Sequence, residues 1–282
     1  MITSKEIEHN YIEIGYSKCN MNIAKCFILA ILAGMFIAFG GLSSSVASCM
    51  PVYRHQSHKN TSSVASCMIE NSSLAKLIQS VVFPAGLAMV VAVGAELFTG
   101  DCLITISVLE RKTNVLKFIR TLIIVYIGNL VGSILVALME VYGHTLSAFN
   151  GALAQNIVDI AAKKCEIGFG DAIIRGILCN VLVCSAVWMS MTTKSAAGKI
   201  VALFMPIMVF VISGFEHSVA NMFYIPAGIM ALKEYGVEAE GLNWFNFFIT
   251  NELPVTVGNL IGGISLSVAL WFTQSQKAKN NI

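Results

Sequence analysis

Two short stretches concentrate the residues that could do chemistry. The first is Ser213-Gly214-Phe215-Glu216-His217-Ser218. It holds the one histidine of this 282-residue chain that sits inside an apolar run. A free imidazole titrates at about 6.5, so His217 could hold or donate a proton near neutral pH; the alternative is a neutral ring hydrogen-bonded within a packed bundle. The second stretch is Glu96-Leu97-Phe98-Thr99-Gly100-Asp101. Thr99 either offers a hydroxyl to a passing solute or caps a helix. Glu96 and Glu216 read as structural, because a buried carboxylate can bind loop N–H groups and helix N-termini. Asn180 lies amid apolar residues, as a polar site or as interhelical glue. Phe83, Leu87, Phe98 and Phe210 read as packing, with a constriction as the alternative. Lys163 and Lys164 precede an apolar run, where they either attract anions or form a solvated pair.

Other chemistries find little support. Eight cysteines are present without a Cys-x-x-Cys pair. Cys49 and Cys67 with His55 and His58 are too loosely spaced for a zinc set, so no metal and no cofactor is expected. No Walker A loop, dinucleotide glycine fingerprint or Gly-x-Ser-x-Gly elbow occurs. An ATP-driven pump is therefore not expected. A membrane-embedded enzyme would have only His217 and Glu216 to work with, so no enzyme is expected.

The elements that must position these residues follow from the charge pattern. The chain is 56% hydrophobic and only 12% charged, about half the charge of a soluble domain. That excludes a soluble enzyme and a disordered chain, and a net charge of +2 argues against a nucleic-acid partner. Charge-free runs place six apolar spans at 24–44, 77–110, 117–141, 171–192, 199–232 and 251–273. Met1–Asn22 is polar and has no apolar h-region, so no signal peptide is expected. Spans 2 and 5 are too long for one crossing and are broken at the two stretches above. Irregular backbone at membrane depth requires burial in protein or a water-filled cavity.

The halves match. The breaks fall in the second of three spans in each, and Gly128-Asn129-Leu130-Val131-Gly132 is echoed by Gly258-Asn259-Leu260-Ile261-Gly262. Three spans per half make the repeat inverted, which puts a permeant site at the repeat interface. The expected fold is thus an all-α integral membrane protein with six transmembrane helices, broken helices 2 and 5, and repeat halves at about 24–141 and 171–273. Segment 1–23 and tail 274–282 flank the span domain 24–273. Counting Lys and Arg gives 11 on one side and 7 on the other, so both termini are expected on the cytoplasmic side of the cell membrane. The heptapeptide Ser44–Met50 recurs at Ser62–Met68, a local duplication placed in an outer loop, 45–75.

With these residues in hand, the sequence resembles the formate–nitrite transporter family. The segments that carry the resemblance are Glu96-Leu97-Phe98-Thr99, Gly128-Asn129, Cys179-Asn180-Val181-Leu182-Val183-Cys184, Ser213 through Phe223, and Pro254-Val255-Thr256-Val257-Gly258-Asn259. The resemblance covers about Ile23 to Phe272. It implies an aquaporin-like protomer, a homopentamer with one pore per protomer, and passage of small monovalent anions of weak acids: formate, nitrite or hydrosulfide. It implies that His217 is the central pore residue and Thr99 its partner. Leu87 and Phe83 with Phe210 would form the constriction toward one mouth, and Leu97 and Phe98 the one toward the other. Lys164, with Lys163 as the alternative register, would attract the anion, and Asn180 and Asn259 would be the polar amides of the path. Between apolar rings a bare anion loses hydration at a cost of many kcal/mol, which His217 could relieve by passing a proton. The alternative function is an aquaporin-like channel for small neutral solutes, although neither break carries an Asn-Pro-Ala box.

Overall fold

The computed structural model describes residues 2–49 and 72–274. Among the described residues all regular structure is helical. Chain order runs α1 (Ser4–Cys19), α2 (Ile23–Ser48), α3 (Ser72–Val82), α4 (Pro84–Val93), α5 (Phe98–Asp101), a 3-10 turn Cys102–Ile104, α6 (Thr105–Leu109) and α7 (Val115–Tyr142). It continues with α8 (Ala152–Cys165), α9 (Phe169–Ser190), α10 (Ala196–Ile212), α11 (Ser218–Glu234), α12 (Trp244–Asn246), a π-helical turn Phe247–Glu252 and α13 (Leu253–Gln274). Five helical stretches among the described residues are long and apolar enough to cross a membrane: Ile23–Ser48, Ser73–Val93, Val115–Tyr142, Phe169–Ser190 and Trp244–Gln274. The fifth span is broken as expected. It is two half-helices, α10 and α11, separated by Ser213–His217.

Two helix pairs form the frame, α2 against α7 and α9 against α13. Glycines set their close approach. A Cβ on Gly132 would strike the Ile31 carbonyl, and one on Gly262 would strike the Ile177 carbonyl. Backbone-to-backbone contact of this kind is how small residues hold helices together without a hydrophobic driving force.

Each break turns on a left-handed glycine, Gly94 (φ 72°) in the first and Gly214 (φ 70°) in the second, a conformation open to glycine without a steric penalty. The first break ends earlier than the sequence suggests: Phe98 through Asp101 already form α5. The helix N-termini that start here are capped by side chains from other helices. Asn129 Oδ1 accepts from Phe98 N (2.9 Å), while its amide donates to Ala30 O (2.8 Å) and Glu96 O (2.9 Å). Asn259 Oδ1 accepts from Ser218 N (2.9 Å), and its amide donates to Gly176 O (2.8 Å) and Glu216 O (2.9 Å). The same three bonds are made in both halves, and they satisfy backbone groups that a membrane interior would leave unpaired.

The correspondence extends to two helices outside the expected spans. α1 precedes α2 as α8 precedes α9, and each ends in Lys-Cys. Arg120 donates to Cys19 O (2.7 Å), and Thr250 donates to Cys165 O (3.3 Å). α8 buries Leu153, Ile157, Val158 and Ala161, a helical stripe within a stretch left unassigned between spans 3 and 4. α1 buries Ile7 and Tyr11, and its Tyr11 ring stacks on Trp188.

The expected boundary of the loop 45–75 is corrected at its start. α2 continues to Ser48 because Ser44 and Ser45 hydroxyls donate back to Gly41 O (2.8 and 3.0 Å), a local bond that lets serine sit inside an apolar helix. Ser44 through Ser48 of the first heptapeptide are therefore helical. Met50 and the second copy, Ser62–Met68, lie outside the described residues, as do His55, His58 and Cys67.

Candidate functional site

Three cavities follow one another between the two breaks. The first, of about 100 Å³, is lined by Lys164, Glu216, Lys76, Phe83, Phe210 and His217, among others. The second holds only about 10 Å³, and its walls are Ile37, Phe83, Leu87, Leu97, Val183, Ile207, Phe210 and His217. That is about the space of one water. The third, of about 300 Å³, is lined by Lys18, Glu96, Asp101 and Lys199 together with Leu87 and Leu97. Phe83, Phe210 and His217 are shared by the first two, and Leu87 and Leu97 by the last two. The result is a lysine-bearing mouth, an apolar seam and a second lysine-bearing mouth.

His217 stands at the seam as the N-cap residue of α11. Its Nδ1 accepts from Ala220 N (3.1 Å). A ring nitrogen that accepts a backbone N–H carries no proton, so the neutral imidazole has its proton on Nε2. Nε2 then donates to Thr99 Oγ1 (2.9 Å). Thr99 does not cap α5; that position is Leu97, which makes no side-chain cap. Phe210 stacks on His217 (ring centroids 6.0 Å) and meets Phe83 edge-on (5.6 Å), closing the seam toward Lys164.

The carboxylates expected to hold loop N–H groups instead hold lysines. Lys164 Nζ donates to both Glu216 oxygens (3.0 and 2.9 Å) and lies 5.6 Å from the Tyr224 ring centre. Lys163 is exposed, so Lys164 is the one that lines the mouth. Asn221 Nδ2 donates to Glu216 (2.8 Å) and to Asn251 Oδ1 (2.7 Å), and Asn251 Nδ2 donates to Lys164 O (2.7 Å). At the other mouth Lys18 Nζ donates to Glu96 (2.5 Å) and Asp101 (2.7 Å).

Several expected site residues sit elsewhere. Asn180 and Asn259 line none of the three cavities; Thr99 lines none either and meets the seam through its bond to His217. Asn180 Nδ2 donates to Asn259 O (2.6 Å), and Asn259 caps α11 as described, so both amides are consumed between helices. Phe98 turns away from the seam and packs edge-on against Tyr126 (5.0 Å). Leu87 lies with Leu97 on the Lys18 side of His217 as well as facing Phe83. Lys18, Asn221, Asn251 and Asp101's tie to Lys18 went unread. The repeated dipeptide Lys18-Cys19 and Lys164-Cys165 carried a signal for the first of these.

A sequence profile described as formate/nitrite transporter matches residues 5–273. A probable formate transporter of Methanothermobacter thermautotrophicus is 36% identical over 266 residues, covering 89% of each chain. Formate channel FocA of Escherichia coli (strain K12) is 36% identical over 267 residues, covering 89% of this chain and 86% of its own. Among solved structures, a pentameric formate channel with formate bound superposes with a TM-score of 0.73 at 31% identity, over 89% of this chain and 96% of that one.

Proposed function

The chain belongs to the formate/nitrite transporter family, and on that premise we propose that it is a membrane channel for small monovalent anions of weak acids such as formate, nitrite or hydrosulfide. The observation that carries this is the order of the three cavities. A lysine is present at each mouth, and the seam between them is apolar except for His217, which bonds Thr99. Lysines at the mouths favour anions. The apolar seam disfavours hydrated cations and lets through only what can shed water.

Lys164 and Lys18 hold the mouths in shape through Glu216 and Glu96 and present N–H donors there, while Lys76 and Lys199 in the same cavity walls add positive charge near the path. Within the seam His217 donates its Nε2 proton to Thr99, which leaves the threonine hydroxyl proton free for an anion oxygen or sulfur. Protonating Nδ1 as well would cost the Ala220 N–H bond, so His217 serves in this closed arrangement as a neutral donor that orients Thr99. Phe83 and Phe210 bound the seam on one side, Leu87 and Leu97 on the other.

The span domain covers 24–273, with α1 in the segment before it and a short tail 274–282 behind. The Lys and Arg distribution favours both termini on the cytoplasmic side of the cell membrane. Assembly as a homopentamer is supported by the pentameric solved relative. Parallel flux of formate, nitrite, hydrosulfide and lactate through reconstituted protein at two pH values tests the reading. Saturable flux of at least one of the first three supports it, and water or glycerol permeation without anion flux would replace it by a neutral-solute channel.

A further inference from the structure

The two mouths are built from corresponding residues, with one chemical difference between them. Lys18 matches Lys164, and Glu96 matches Glu216. Five residues beyond each glutamate stand Asp101 and Asn221. Asn221 donates to Glu216 (2.8 Å), so the Lys164 mouth holds one cation and one anion bridged by an amide. Asp101 has no proton to donate when ionised. It turns Oδ1 to Lys18 Nζ, which already serves Glu96, so one ammonium faces two carboxylates. Asp101 is 1% exposed, its Oδ2 has no partner, and it lines the cavity of about 300 Å³. A buried carboxylate oxygen without a donor is costly. A proton on Oδ2 would remove that cost and give Asp101 the hydrogen-bond donor that Asn221 has.

We propose that Asp101 is a protonatable counterpart of Asn221 that sets the charge of the Lys18 mouth and thereby its acceptance of anions. Ionised, Asp101 leaves the Lys18–Glu96–Asp101 group with one excess negative charge, which repels an arriving anion. With a proton taken from the water of the cavity, Asp101 donates to Glu96, and the group becomes a neutral ion pair like that at the other mouth. The other groups around it are fixed in sign or neutral. From α1 come Lys18 and Tyr11, from α2 Cys26, from α9 Cys184, and Cys102 is its chain neighbour, with Lys199 of α10 on the same cavity wall. Glu96 is the one other carboxylate among them.

This inference rests on the anion-channel reading. It is tested by formate flux measured separately from each face of oriented protein in planar bilayers, varying pH on the Lys18 face from mildly acidic to mildly alkaline. In the wild type, flux from the Lys18 face should rise about fivefold on acidification, the size expected of one unit charge several ångströms away in a partly wet cavity. Asp101→Asn should hold that flux at its acidic level throughout, whatever the pH on the Lys18 face. Asp101→Ser, which also cannot titrate, carries the same expectation if the asparagine variant assembles poorly. A wild-type pH profile retained in both variants would overturn the proposal. No formate, nitrite or hydrosulfide flux in the wild type would instead overturn the anion-channel reading, and the role of Asp101 with it.

Discussion

His217 Nε2 donates to Thr99 Oγ1 across 2.9 Å, joining the two broken spans at the centre of the molecule. Because the opposite nitrogen accepts the Ala220 N–H, the ring has a fixed tautomer, and the threonine is fixed as the acceptor. The one polar contact of the seam is thus assembled from both halves, and neither half alone could make it.

The Phe83–Phe210 contact closes the seam toward Lys164. Phe210→Ala should open it. The ratio of lactate to formate flux in proteoliposomes should then rise severalfold, because a larger anion gains more from the added volume. An unchanged ratio would place the size filter elsewhere.

Asn129 and Asn259 should be far more sensitive than surface amides. Asn259→Ala strips partners from Ser218 N, Gly176 O and Glu216 O at once, and Asn129→Ala does the same at Phe98 N, Ala30 O and Glu96 O. Each should destabilise the protein by about 2–4 kcal/mol, read from thermal unfolding in detergent. A loss confined to flux, with stability unchanged, would make these amides part of the path after all.

Lys164→Ala leaves Glu216 buried without its cation, which should cost about 3–5 kcal/mol. Adding Glu216→Gln should restore most of the stability without restoring flux at low anion concentration. Recovery of both together would reduce Lys164 to a structural role.

Lys18 makes a prediction in pH. Burial alone would lower its ammonium, but the carboxylates of Asp101 and Glu96 outweigh that and hold it well above the ordinary lysine value. A folded value above the unfolded one stabilises fully below the ordinary lysine range, and that gain is lost as pH rises through the raised value. Lys18→Met should therefore lower thermal stability throughout the neutral range. The gap to the wild type should close only at strongly alkaline pH. A gap that closes near neutrality would contradict the ion-pair assignment.

Much of the architecture was legible because membranes punish charge and irregular backbone so strongly. The empty runs of charge placed the apolar spans, and Gly100, Gly214 and the nearby carboxylates marked the breaks, although the turn of the first is at Gly94. What was not legible depended on who meets whom across the fold. Asn180 read equally as a polar site or as interhelical glue, and Asn259 was a path amide only by resemblance; their carbonyl partners place both between helices. Phe98 sits next to Thr99 in sequence, but the first turn of α5 points it at Tyr126. Ser45 and Ser48 read as a loop because their hydroxyls' bonds to helix carbonyls leave no trace in composition. α1 and α8 were missed because their apolar stripes are narrow and their ends carry charge. Asp101 was noted as a charge at depth, but its likeness to Asn221 needs the two mouths superposed.

The central claim, that anions pass through a seam whose polar wall is His217 bonded to Thr99, is tested most directly by formate flux through reconstituted Thr99→Val. The substitution keeps the shape of the side chain and removes the hydroxyl. Flux should fall at least about tenfold, the effect of losing one hydrogen bond to a charged group, with thermal stability near that of the wild type. Wild-type flux in Thr99→Val would contradict it.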